Sequence, residues 1–184
     1  MKNTNSPLRL FLLVLALASI ATGLRAELDA DQQAKVNAKI ETIKAWAADP
    51  ALVEAVAANN AAQPADHAAI TQEKWKSLSV LDPMVRSFSK NPAGEFLKSK
   101  KAEWTTEAFL SNAKGTKVAF LSKPSNWSHG GKPKHDVPMT GKAWQGDIEK
   151  DESTGLQQIQ VAVPVLKNGH PVGSLTVGLS LGKL

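Results

Sequence analysis

The chain has 184 residues, a net charge of +5, and neither cysteine nor tyrosine. Without cysteine no disulfide can form, so packing alone must stabilise the fold. Basic and acidic residues are close in number, at 22 and 17, which argues against a nucleic-acid-binding protein, because such proteins carry a basic stripe or patch.

The N-terminus has the pattern of a signal peptide. Lys2 and Arg9 precede an apolar run over residues 10–20, and small residues follow it. A bilayer-spanning helix needs about 20 apolar residues, so this run favours a secretory signal. We expect residues 1–26 to be removed on export, with an uncleaved membrane anchor as the alternative. Removal takes away three basic residues and no acidic one, which lowers the net charge from +5 to +2. Residues 27–184 are then a single periplasmic or secreted domain.

The first half of this domain is predicted to be helical. Asp29 followed by Gln32 is a variant of the capping box, and apolar residues recur at helical spacing from there to Asp49. This pattern predicts a long first helix. Thr71 is a candidate cap for a short helix. Three further helix starts place an Asp or Asn cap before a proline: Asp49-Pro50, Asp82-Pro83 and Asn91-Pro92.

From residue 105 onwards the pattern indicates strands. Residues 156–166 and 171–181 are apolar runs on either side of Asn168-Gly169, which is the strongest short signal for a β-hairpin. A second hairpin is predicted with its turn over residues 112–115, and a short strand over 142–147. Helices followed by about five antiparallel strands predict an α+β domain.

Four stretches of this second half carry a resemblance to a known family. They are residues 105–120, W-Q-G-D at 144–147, D-E-S-T-G at 151–155, and the run from 159 to 184 that contains V-P-V and G-H-P-V-G-S-L-T-V-G. In their order they resemble a single Cache domain, a PAS-like extracellular sensor domain, in its stand-alone secreted form. The resemblance implies a long N-terminal helix and short helices packed on a five-stranded antiparallel sheet, with a ligand bound between the sheet and the segments that cover it. The amino-acid-recognising branch of that family uses tyrosines, and this chain has none.

The candidate ligand site is the loop over residues 124–140, which is rich in Gly, Pro, Lys and His. Tryptophan offers a flat apolar wall with one N–H donor, and lysine and histidine can meet an anion. We therefore predict a small ligand, with a carboxylate as the first choice of chemistry. The alternative for both tryptophans is packing in the core, with the charges solvated. The predicted ligand-binding residues of this region are Trp127, His129, Lys132, His135 and Trp144.

Arg86 is a further candidate from the helical half. It follows two apolar residues, Met84 and Val85, and could hold an acidic ligand through two hydrogen bonds. The alternative is a side chain that lies along its own helix with the guanidinium in water.

The sequence predicts a binding protein that needs no cofactor, and not an enzyme. The carboxylates between residues 147 and 152 lie in a predicted solvated turn, and no nucleophile elbow or phosphate loop occurs. We expect a sensor that binds a small molecule reversibly, signals through a membrane receptor or kinase, and can form a homodimer through its N-terminal helix. The alternatives are a ligand-free interaction module that regulates such a partner, or a metal-binding protein that uses His129 and His135 with Asp136, Asp147 and Asp151.

Overall fold

A computed structural model describes residues 27–150, 155 and 157–184. The predicted signal peptide and most of the predicted turn at residues 151–155 lie outside the described residues. The helical half forms with the predicted long first helix and four short helices at the predicted starts, and with one further short helix that was not predicted. Its helices are α1 (Ala30–Ala47), α2 (Pro50–Ala61), α3 (Ala65–Ala68), α4 (Gln72–Ser77), α5 (Pro83–Lys90) and α6 (Pro92–Lys100).

The predicted helix starts are confirmed by their capping bonds. Asp29 and Gln32 form a reciprocal capping box at the start of α1. The side chains of Asp49, Asp82 and Asn91 each accept a hydrogen bond from a backbone N–H of the helix that follows, and Thr71 does the same for α4. Each cap satisfies an N–H that the first helical turn leaves unpaired, which is why these local signals are reliable.

The second half forms one five-stranded antiparallel sheet with the strand order β2-β1-β5-β4-β3. Asn168 and Gly169 form the tight turn between the last two strands with φ values of 52° and 78°, as an Asn-Gly hairpin requires. The α+β class predicted from the sequence is therefore confirmed. The strands are β1 (Thr105–Asn112), β2 (Lys117–Phe120), β3 (Trp144–Lys150), β4 (Gln157–Lys167) and β5 (His170–Ser180).

One face of the sheet is apolar and covered by helices. Val36, Ile43 and Ala47 of α1 are buried in the main core, together with apolar residues of α2 and α6. They meet the side chains of β4 and β5 that point to this face, such as Val161 and Leu175, which have no exposed surface. We call this surface the helix face. Dimerisation through α1 stays a prediction.

The other face of the sheet is polar along β5. Along β5, Leu175, Val177 and Leu179 belong to the main core, whereas the alternate residues Ser174, Thr176 and Ser180 are buried polar residues. Successive side chains of a strand point to opposite faces, so the polar set lies together on the second face. We call this surface the cleft face.

The segment between β2 and β3 runs from one edge of the sheet to the other. We call residues 121–143 the connector; it contains a short helix, α7 (Pro133–Asp136), and a single 3-10 turn. A second apolar cluster anchors its start, and there the indole Nε1 of Trp75 donates to the carbonyl oxygen of Pro124 over 2.7 Å. The buried members of this cluster are Ile70, Trp75, Val85, Phe88, Phe109, Phe120 and Trp127. Within the described residues, no helix has the length and apolar character needed to span a bilayer.

Candidate ligand-binding cleft

The connector crosses the cleft face because the β1–β2 turn holds its middle section in place. The backbone N–H of His129 donates to the carbonyl oxygen of Gly115 over 2.9 Å. Gly115 has a φ of 79°, and a Cβ there would lie 2.2 Å from the backbone nitrogen of Gly130. Both the backbone conformation and the close approach require glycine at position 115.

A cleft of about 700 Å³ lies between the connector and the cleft face. Its walls come from β1, β3 and β4 and from two parts of the connector. Acidic and basic side chains line it, with Glu107 and Glu149 on strands and Lys123 and Lys134 on the connector. The volume lies in the range of small-molecule pockets, roughly 300–1,000 Å³.

Two glutamines of β4 organise the floor of this cleft. Gln160 lies between Lys134, whose ammonium donates to its amide oxygen, and Glu107, whose carboxylate accepts from its amide nitrogen. Gln158 accepts from the hydroxyl of Thr106. Its amide nitrogen donates to a carboxylate oxygen of Glu149 over 3.1 Å. The floor is thus a hydrogen-bonded network that joins β1, β3, β4 and the connector.

Gly178 makes this network possible. It lies on β5, between Glu107 of β1 and Gln160 of β4 in the register of the sheet. A Cβ at this position would lie 2.2 Å from the Thr106 hydroxyl oxygen and 2.8 Å from the Gln158 amide oxygen. The side chains of β1 and β4 can therefore meet across the central strand only because position 178 has no side chain.

His129 forms part of the roof. Its ring stacks on that of Phe109, with centroids 4.8 Å apart, and only 6% of the residue is exposed. Its Nδ1 lies 2.7 Å from the Nζ of Lys117, which is fully buried on β2. Burial, followed by the positive charge of Lys117, lowers the pKa of His129 to about 3. Burial, followed by the charge of Lys134, lowers the pKa of Lys117 to about 7.

His135 is bonded to the protein through both ring nitrogens. Its Nδ1 lies 2.8 Å from the hydroxyl oxygen of Ser174, and its Nε2 lies 3.3 Å from the carbonyl oxygen of Ala113. Burial is the main cause that lowers the pKa of His135. This histidine fastens α7 to the cleft face and to the β1–β2 turn, and it does not line the cleft.

The other residues predicted for the site lie away from the cleft walls. Trp127 is 4% exposed and packs in the second apolar cluster, with its ring 5.1 Å from that of Trp75. Trp144 is half-buried at the start of β3, and Lys132 is exposed ahead of α7. Arg86 is exposed on α5, where it borders a separate shallow groove. Of the six predicted residues, His129 lines the cleft; their role in binding stays a prediction.

The floor residues escaped sequence reasoning, although a signal for them exists. Gln158 and Gln160 alternate with Ile159 and Val161 at the start of β4, which is the pattern of a strand with one polar face. Lys117 is the first residue of a strand that is otherwise apolar. Neither pattern shows the contacts that these residues make. Gln158 and Gln160 meet Thr106 and Glu107 of β1 across β5, from positions 52 and 53 residues away in sequence.

The described part of the chain shows no group of three or more His, Asp or Glu side chains placed to hold a metal ion. His129 and His135 make separate contacts with Lys117 and Ser174. A site that also uses Asp151 lies in part outside the described residues.

No family model and no curated protein matches the sequence. Solved structures do match. The sensor domain of the V. cholerae histidine kinase DctB is 13% identical over 82% of this chain and 54% of that chain, with a TM-score of 0.44. The ligand-binding domain of the Pseudomonas aeruginosa amino acid chemoreceptor PctC, solved with GABA, is 14% identical over 83% and 56%, with a TM-score of 0.48. The ligand-binding domain of the Pseudomonas fluorescens chemoreceptor CtaA, solved with L-serine, is 17% identical over 82% and 53%, with a TM-score of 0.45.

The chain thus spans about half the length of the solved domains that it matches. The matches concern the fold alone and agree with the resemblance predicted from the sequence. Over about 82% of its length, the chain has a structural match to the sensor and ligand-binding domains of chemoreceptors and of a histidine kinase.

Proposed function

We propose that the protein reversibly binds a small organic molecule that carries a carboxylate, in the cleft between the connector and the cleft face. The observation that supports this is the cleft itself, a space of about 700 Å³ over a floor of hydrogen-bonded polar side chains. The helix face of the same sheet is filled by apolar side chains. Burying polar groups in a small domain costs free energy unless they form hydrogen bonds with the protein, with water or with a ligand.

The charges at the roof favour an anionic group on the ligand. Lys134 and Lys123 line the cleft, and His129 lines it between them in sequence. A carboxylate can accept from several N–H donors at once, and such charge-assisted bonds are stronger than neutral ones. Glu149 supplies an acceptor on the opposite wall for a hydroxyl or ammonium group of the same ligand.

We propose binding and signalling rather than chemistry on the ligand. Export through residues 1–26 would place the cleft outside the cytoplasm, where a membrane receptor or kinase could read the bound state. Closure of the connector over a ligand is the simplest change that such a partner could detect, because the connector supplies part of the cleft wall.

A thermal-shift screen of the purified protein tests this function. The probes are small mono- and dicarboxylates, hydroxy acids and amino acids, each paired with its neutral amide or alcohol. A ligand that binds only the folded state raises the melting temperature by mass action. We expect a shift with one carboxylate class and none with its neutral partners.

Two lysine variants locate the site. Lys134→Gln, which lines the cleft, should weaken binding of the active probe at least tenfold. Lys142→Gln is the matched control on the same connector, exposed and outside the cleft wall, and it should bind as the wild type does. No shift with any carboxylate, or equal loss in both variants, would exclude the proposal.

A ligand-free interaction module is the second candidate. Val80 and Leu81, between α4 and α5, are 63% and 73% exposed, and Trp127 packs in the core rather than in the cleft wall. Exposed apolar side chains of this kind are common at protein interfaces. A screen with no active probe would favour this candidate, and a Val80→Ser/Leu81→Ser variant would then test it by loss of partner binding.

A further inference from the structure

Lys117 is the most unusual residue of the cleft face. It has no exposed surface, and its Nζ lies 3.5 Å from both the Ser111 hydroxyl and the Gly115 carbonyl oxygen. The shortest contact by far is that of 2.7 Å with the Nδ1 of His129. A lysine is rarely buried without a partner, and its main partner here is a histidine rather than a carboxylate.

This contact fixes the tautomer of His129. Below its pKa of about 7, Lys117 is an ammonium with three donors and no acceptor, so the Nδ1 of His129 must accept. The ring is neutral near pH 7, because burial and four surrounding cationic or basic side chains lower the pKa of His129 to about 3. A neutral imidazole has one proton, which must then be on Nε2. His129 therefore has a single N–H donor, at the ring nitrogen opposite Lys117.

We propose that Lys117 is a positioning residue for ligand binding, which acts through His129 so that the cleft offers an Nε2–H donor to an anionic oxygen of the ligand. This inference rests on the proposed function and names the atom that receives the carboxylate. Without Lys117, the ring could carry its proton on Nδ1 and turn an acceptor towards the cleft. An acceptor would repel a carboxylate and admit an N–H or O–H group instead.

The charge of Lys117 adds to this effect. An anion on Nε2 lies one imidazole ring away from the ammonium of Lys117, which is fully buried, and charge interactions are stronger there than in bulk water. The other charged groups around this pair are Lys134 and Lys132 of the connector and Glu107 of β1, with His135 beside them. Ligand binding should therefore favour the charged form of Lys117.

Two variants separate the tautomer from the charge. Lys117→Gln keeps an N–H donor for the Nδ1 of His129 and removes the charge. Lys117→Met removes both, at a similar side-chain length. If the donor matters, Lys117→Gln retains the Nε2–H tautomer and part of the affinity, and Lys117→Met retains neither.

The experiment is ¹⁵N NMR of the histidine rings in the free protein at pH 6, where Lys117 is charged and His129 is neutral, followed by titration with sodium acetate and, as the neutral isostere, acetamide. We expect an Nε2–H tautomer for His129 in the wild type, and a change of its Nε2 resonance with acetate but not with acetamide. His135 is the internal control. The carbonyl of Ala113 also makes it an Nε2–H tautomer, but it lies outside the cleft wall, so acetate should leave it unchanged.

Acetate should bind at least tenfold more weakly to Lys117→Met than to the wild type, with partial recovery in Lys117→Gln. An Nδ1–H tautomer in the wild type, or no response of His129 to acetate, would overturn the inference. So would equal acetate affinity in the wild type and Lys117→Met. A His129 that responds as expected in a protein that no larger carboxylate stabilises would instead refute the proposed function and leave the role of Lys117 standing.

Discussion

The same strands present an apolar core on one face of the sheet and a polar cleft on the other. On the helix face, Leu175 and Val177 pack against α1 and α2 in a continuous apolar core. On the cleft face, the alternate residues of β5 are Ser174, Thr176 and Gly178, and Ser174 bonds to His135 of the connector instead of packing in an apolar core. Because one strand serves both faces, stability and the cleft are encoded in alternate positions of a single eleven-residue segment.

The comparison indicates where mutations should alter folding and where they should alter binding. Every ionisable side chain that is buried among the described residues lies towards the cleft face: Lys117, His129 and His135. The helix face has none. The pH dependence of stability should therefore come from the cleft side, while the free energy from apolar burial comes from the helix side.

The largest expected effect is that of pH on stability. The pKa of Lys117 is about 7 in the folded protein and 10.5 as its ordinary value. Between these values the unfolded chain binds a proton that the folded protein does not, so the free energy of unfolding should rise with pH from 7 to 10.5. At about 1.4 kcal/mol per pKa unit, the contribution is on the order of a few kcal/mol. Urea denaturation at pH 7 and pH 10 measures it.

Below pH 6.5 the free energy of unfolding should also rise with pH, but here because of His129. The pKa of His129 falls from its ordinary 6.5 to about 3 in the folded protein, so the unfolded chain binds more protons there and stability should be lost as pH falls from 6.5 towards 3. Lys117→Met should abolish the rise above pH 7 and keep a loss in acid. Lys114→Met, which removes an exposed lysine of the same hairpin, is the matched control. A rise above pH 7 that persists in Lys117→Met would contradict the assignment.

Two glycines of β5, one on each face, should have smaller effects on stability that distinguish the two faces. A Cβ on Gly173 would lie 2.3 Å from the backbone carbonyl oxygen of Ser111 and 2.8 Å from a methyl group of Val56. On this helix face the backbone cannot yield, so Gly173→Ala should cost about 1–3 kcal/mol of stability. A Cβ on Gly178 meets side chains of the cleft floor instead, which can move.

Gly178→Ala should therefore cost less stability than Gly173→Ala and lose more binding. The added methyl group would displace Thr106 and Gln158, whose hydrogen bond closes the floor. Urea denaturation and the thermal shift with the active carboxylate give the two readouts. Equal loss of stability in both variants, with binding intact in Gly178→Ala, would contradict the assignment of stability to the helix face and of ligand binding to the cleft face.

The parts of the fold that follow from sequence are those with local causes. Asp49-Pro50 and Asn91-Pro92 predict helix starts because a cap bonds to N–H groups two or three residues away. Asn168-Gly169 predicts its hairpin because the turn needs positive φ at both residues. The α+β class follows from the order of these elements.

The cleft depends on contacts that no local pattern shows. Trp127 was predicted to form a wall of the ligand site, yet its ring packs against Trp75 and Phe88 in the core. A large aromatic ring is stabilised most by full burial. The meeting of Glu107 with Gln160 depends on a glycine in the strand between them. Sequence reasoning found His129 through its residue type, and it could not find Lys117, whose role depends on a partner 12 residues away across a turn.

The smallest expected effect concerns Thr176, in the middle of the cleft face. It is 1% exposed, and its hydroxyl oxygen has no hydrogen-bond partner among the described residues. Its strand neighbour on the same face, Ser174, bonds to His135. Removing a buried hydroxyl that makes no bond should stabilise the fold, and removing one that does should destabilise it. Thr176→Val, which keeps the shape, should raise the free energy of unfolding by up to about 1 kcal/mol, and Ser174→Ala should lower it by about the same amount.

The opposite signs matter more than the sizes, since urea denaturation of both variants under one condition resolves them. If Thr176→Val instead loses stability, its hydroxyl must bond to a group that reaches the floor of the cleft, and the interior of the cleft face would then be wetter than its packing indicates. A dry floor beneath a polar cleft would strengthen the interaction between the charge of Lys117 and an anion bound at the neutral ring of His129. The sign of this small effect therefore tests the physical condition on which the proposed carboxylate site depends.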